Sequence, residues 1–187
     1  MPVTTLDAKT ALIVIDLQKG IVARPTVHPV EGVIANARSL ATAFRRHGLP
    51  VVLVNVAGAA PGRTEQKLST ATFPPDWTEL IPELNAQAGD DKVTKHTWGA
   101  FANTDLDALL KERGVTQVVL AGVATSVGVE STAREAYAQG LNVTIATDAM
   151  TDLDAAAHEN SVTRIFPRLG ETGSTAAILA LLEANIG

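Results

Sequence analysis

ALIVID, residues 11–16, sets five apolar side chains in a row and then a carboxylate. A strand with one face in water alternates apolar and polar residues. This one does not, so both of its faces must be covered, as they are in a parallel sheet held between two helix layers. Three more stretches have the same character: VVLVNV at 51–56, VVLAGV at 118–123 and VTIA at 143–146, while KVTK at 92–95 reads as a shorter strand. Segments with helical spacing lie between them. Residues 31–47 place Val33, Ile34, Ala37, Leu40, Ala41 and Phe44 on one face and stop at Gly48 before Pro50. Residues 104–113 start on a Thr104 cap, carry Leu106, Leu109 and Leu110 as a stripe and end at Gly114. Further helices are predicted over 125–139, over 152–165 up to Pro167, and over 173–185.

Strand and helix in alternation, with short connections, predict right-handed crossovers and a three-layer α/β/α domain of Rossmann-like type. The 187 residues suit one domain, 1–187. The exception to short connections is 57–91, which holds Pro61, Pro74, Pro75 and Pro82 and is too long for a connector. It reads as an excursion lying over the carboxyl edge of the sheet.

Composition narrows the chemistry. There is no cysteine, which excludes disulfides, Cys-ligated metal and a thiolate nucleophile. A net charge of −5 with scattered basic residues gives no footprint for nucleic acid. The first twenty residues lack a basic start and an apolar stretch of secretion type, and no apolar run approaches the roughly 20 residues that span a bilayer. A cytoplasmic protein with a small-molecule substrate, no membrane partner and no cofactor is the expectation.

In an open parallel sheet, ligands bind beyond the carboxyl ends of the strands. The polar residues at those ends are Asp16, Lys95 and Asp148, together with the turn GVATSVG at 122–128, whose N–H groups could face an anion. A strand-end aspartate is often only a cap, which is the reading preferred for Asp148.

VIDLQKG (14–20), KHTWGAF (95–101), LAGVATSVGVESTAREAYAQG (120–140) and VTIATDAMTD (143–152) together resemble the isochorismatase-like hydrolase family, in order and approximate spacing. The resemblance implies a six-stranded parallel sheet with an Asp–Lys–Cys triad at its carboxyl edge. Asp16 matches the aspartate of the family's D-x-Q motif, Gln18 its glutamine, and Lys95 its lysine. The nucleophilic cysteine falls on Gly128, where no side chain can attack. Isochorismatases proper are similar in lacking that cysteine: their aspartate protonates an enol ether as a general acid. The resemblance further implies a cis peptide between Val123 and Ala124 at an oxyanion site, a binding rim of Val123, Ala124, Thr125 and Val127 with Trp98 beside it, and assembly as a homo-oligomer. Arg63 and Gln66 of the excursion are candidate ligands for substrate carboxylates. The histidines that hold zinc in nicotinamidase-type relatives have no counterpart between Asn55 and Glu79, so no metal is expected.

Asp16 meets two opposed influences: the nearby Lys95 favours its carboxylate, and burial behind ALIVI favours its acid form. Acid catalysis near neutrality requires burial to win. Two other readings stay open. Ser126, with Asp148 or Asp152 and then His158, follows the chain order of a serine esterase. A member without the nucleophile could also bind a ligand and catalyse nothing.

Overall fold

The computed structural model describes residues 2–65 and 73–184. Its sheet has six strands, β1 (Thr10–Ile15), β2 (Val51–Val56), β3 (Asp91–Lys95), β4 (Gln117–Val123), β5 (Asn142–Thr151) and β6 (Glu171–Gly173). They lie in the order β3-β2-β1-β4-β5-β6, and every pairing is parallel. The helices are α1 (Lys19–Val22), α2 (Val30–Arg46), α3 (Leu106–Glu112), α4 (Glu130–Ala138), α5 (Ala155–Asn160), α6 (Phe166–Leu169) and α7 (Thr175–Ala184). None of them is long and apolar enough to cross a membrane.

The central strand behaves as its unbroken apolar run requires. No residue of β1 is more than 1% exposed. Leu12 and Val14 pack with Val33, Leu40 and Phe44 of α2 and Ile178 and Leu182 of α7. Ala11, Ile13 and Ile15 pack on the other side with Leu106 and Leu110, Ala133 and Ala136, and Phe166. Each buried Val, Leu, Ile or Phe among them contributes about 1.5–3 kcal/mol relative to exposure, so helices on both faces are needed to hold the sheet.

Four elements depart from the sequence reading. β5 runs on to Thr151, because its register slips against β4: Leu120 faces Ile145, but Gly122 already faces Met150. The bulge absorbs Asp148, whose Oδ1 accepts the N–H and hydroxyl of Thr175 at 2.7 and 2.8 Å. β6, Glu-Thr-Gly, carries no apolar signal, and residues 173–174 precede the last helix rather than open it. The helix predicted over 152–165 begins at Ala155, capped by Asp154. It then passes through a wide turn (Ser161–Ile165) and past Pro167 in α6. A wide turn shifts the carbonyl that a proline ring would otherwise strike.

Candidate active site

The strand order reverses between β1 and β4, and the crevice beyond their ends is where such sheets bind ligands. At the end of β1 the Asp16 N–H still donates to Val54, but the residue turns to φ +52° and its carbonyl accepts the N–H of Gln18 at 2.8 Å. At the end of β4, Gly122 has φ +126°, and a Cβ there would lie 2.0 Å from the Ile15 carbonyl oxygen. Only glycine lets the two strand ends approach this closely. The Val123–Ala124 peptide is cis, as the resemblance implied.

The chain then enters a wide turn, Thr125–Val129, in which the Val129 N–H reaches back five residues to the Ala124 carbonyl. Wide turns of this kind frequently occur at functional sites. This one sets Gly128 against the aspartate: a Cβ at 128 would lie 2.9 Å from Ile15 Cγ2 and 3.3 Å from Asp16 Oδ2. Lys95, at the end of β3, completes the arrangement. Its Nζ lies 2.8 Å from Asp16 Oδ2 and donates to the Thr97 carbonyl at 3.1 Å. Both side chains are buried, and among the described residues Asp16 Oδ1 has no hydrogen-bond partner.

Burial is the larger influence on Asp16. It raises the pKa from the ordinary 3.8 to about 6, against the opposing pull of the Lys95 charge and hydrogen bond. The carboxyl can therefore hold or release a proton close to neutrality, as an acid or base catalyst must.

Asp16, Lys95 and Gly128 line one cavity of about 440 Å³, together with Val123, Ala124, Val127 and Trp98. Three expected rim residues lie elsewhere. Gln18 is fully buried, and its amide holds the end of β2 to the excursion through Val56 O at 3.0 Å, Trp77 O at 3.1 Å and the Val56 N–H at 2.7 Å. Thr125 is buried and pairs with His158 Nδ1 at 2.9 Å. Arg63 is exposed and does not line the cavity, and Gln66 lies outside the described residues. The sequence reading missed Arg24, Trp77, Phe73 and Leu153, which do line it. Trp77 left one trace, as a large aromatic side chain in a proline-rich loop.

The turn is also less open to an anion than its sequence suggested. The N–H groups of Val127 and Val129 bond to Ala124, and that of Ser126 donates to Asp152 Oδ2 at 2.6 Å. The same contacts dismantle the serine-esterase arrangement. Asp148 caps α7, Asp152 holds the Ser126 backbone, and His158 Nδ1 bonds Thr125 while its ring packs against His28. Among the described residues, no group of three His, Asp or Glu side chains is placed to hold a metal.

Residues 10–177 match the isochorismatase domain model. The chain belongs to the isochorismatase family. It is 43% identical over 178 residues to the isochorismatase family protein YwoC of Bacillus subtilis, covering 91% of this chain and 93% of that one. An isochorismatase family protein from Burkholderia thailandensis has a similar structure, with a TM-score of 0.91 and 43% identity over 96% of this chain and 98% of that one. The N-carbamoylsarcosine amidase of Thermoplasma acidophilum is more distant, with a TM-score of 0.72 and 28% identity over 89% of this chain and 96% of that one. This isochorismatase-family chain is thus a hydrolase of a group that includes amidohydrolases.

Proposed function

We propose that this isochorismatase-family hydrolase works without a covalent nucleophile, using Asp16 as a general acid on the enol ether of a small carboxylic acid. The observation that carries the reading is the pairing of a buried, near-neutral Asp16 carboxyl with bare backbone at Gly128. Amide hydrolysis through an acyl-enzyme needs a nucleophile next to its base, and the position facing Asp16 supplies none. Protonation of an enol ether needs only a proton donor and a cavity.

The Asp16 carboxyl gives its proton to the terminal vinyl carbon, leaving an oxocarbenium ion. Water adds to that ion and returns a proton to the Asp16 carboxylate. The resulting hemiketal breaks its C–O bond to release an alcohol and a 2-oxo acid. Lys95 holds Asp16 in place throughout and balances the carboxylate once the proton has left.

The test is to incubate the purified protein with isochorismate and, separately, with small amides, reading pyruvate and ammonia. Pyruvate release is expected, with kcat/KM falling as pH rises through about 6, because the acid form of Asp16 is then lost. Asp16→Asn should lower the rate by about 10²–10⁴-fold while circular dichroism stays unchanged. Ammonia release instead, rising with pH through the same range, would mean that Asp16 serves as a base on amides. Turnover of neither class would mean that the site only binds.

A further inference from the structure

Among the described residues, three of the side chains that line the cavity carry charge: Asp16, Lys95 and Arg24. Above about pH 6, where Asp16 is ionised, the first two neutralise each other at the floor, where their side chains are 6% and 2% exposed. Arg24 stands at the mouth, just after the single turn of α1. Its side chain is exposed and, among the described residues, makes neither ion pair nor hydrogen bond. The wall between floor and mouth is apolar and partly aromatic, formed by Ile21, Val56, Phe73, Trp77, Trp98 and Leu153. The Ser126, Val127 and Val129 N–H groups are already bonded, which narrows what the backbone turn can offer an anion. An unpaired guanidinium next to apolar surface takes a carboxylate in a two-pronged hydrogen bond, and does so more strongly where the partner's apolar body displaces water.

We infer that Arg24 binds an anionic group of the ligand at the cavity mouth, so that the substrate carries, besides the carboxylate beside the reacting enol ether, an anion at the far end of a flat apolar body. This deepens the proposed function and rests on the cavity being the substrate site. Arg63, the sequence-level candidate for such a clamp, is not at the cavity, and Arg24 is.

The chain has two tryptophans, Trp77 and Trp98, and both line the cavity, so their emission reports an occupant directly. Benzoate, benzamide and benzamidine share one ring and differ in charge. Titrated at fixed ionic strength and at about pH 8, where the Asp16 carboxylate balances Lys95, wild type is expected to bind benzoate about tenfold more tightly than benzamide, the scale of one charge-assisted hydrogen bond, and benzamidine least well. Arg24→Gln should erase the preference and leave benzamide binding unchanged. Arg24→Lys should restore part of it, and Arg24→Glu should favour benzamidine. A benzoate preference that survives Arg24→Gln and Arg24→Glu overturns the inference, as does a wild type that binds the three probes equally or binds none. Arg24 is exposed, so these variants are expected to fold, and matched melting curves check that. No turnover enters the titration. Absence of hydrolysis with the preference intact would remove the hydrolase mechanism and leave Arg24 in place. Turnover that depends on Asp16, with a preference indifferent to Arg24, would do the reverse.

Discussion

Gly128 and Asp16 form a pair whose properties depend on a few tenths of an ångström. A Cβ at 128 would meet Ile15 Cγ2 at 2.9 Å, and Ile15 is a stiff, fully buried β-branched residue that cannot swing aside. Gly128→Ala therefore sets overpacking of about 1–3 kcal/mol against roughly 1 kcal/mol of regained helix propensity. A modest net loss of stability is expected by urea denaturation, and a gain would show that the strand end yields more easily than its packing implies. Gly128→Cys places the only thiol of the chain beside Asp16 Oδ2. The variant is expected to release ammonia from small amides that wild type leaves intact, followed in a coupled assay. Silence there would mean that the glycine does not occupy the nucleophile's place.

At the scale of elements, α4 holds the site together from behind. Thr132 Oγ1 donates to the Gly128 carbonyl at 2.7 Å and accepts the Ala100 N–H at 3.1 Å. One turn on, Glu135 Oε2 accepts the Phe101 N–H at 3.0 Å. The helix thereby joins the wide turn that carries Gly128 to the loop that follows Lys95. Thr132→Val keeps the shape and removes the hydroxyl, leaving the buried Ala100 N–H unpaired at a cost of about 1–3 kcal/mol. Calorimetry should show the loss, and kcat should fall more than KM rises, because the turn and the loop then move independently. On the other wall, Gln18 and the Lys19 pairs with Asp76 and Glu79 hold the returning part of the excursion in place, and Trp77 with it. The Lys19 pairs are exposed and worth little to stability by themselves. The buried Gln18 amide is the stronger tether, so Gln18→Leu is expected to weaken benzoate binding several-fold while leaving Arg24 in place.

Across the whole molecule, the parallel sheet collects groups from distant parts of the chain at one edge, and the site's acidity follows from that. Because burial raises the Asp16 pKa from 3.8 to about 6, the fold holds this proton more tightly than the unfolded chain does. Its contribution to stability is complete below about pH 4 and is lost as pH rises through about 6, a change of about 3 kcal/mol. The stability of wild type relative to Asp16→Asn should therefore decline between pH 4 and pH 7, and a flat difference by urea denaturation would show that Asp16 ionises as if exposed. The layered α/β architecture was legible in the chain itself, and the meeting of Asp16 with Lys95 was implied by the family resemblance. Unbroken apolar runs require cover on both faces, and a carboxylate directly after ALIVI has to lie at a strand end. β6 was not legible, since Glu171–Gly173 pairs with β5 along its backbone and carries no apolar signature. The full length of β5 was hidden by a bulge that removes Asp148 from the strand pattern. The sequence by itself determined the fold and set Asp16 and Lys95 at strand ends, because burial periodicity and strand-end polarity are local properties. Only the tertiary structure decided that Arg24 and Trp77 border the cavity while Gln18 and Arg63 do not, because the path of a long loop is set by contacts between residues far apart in the chain.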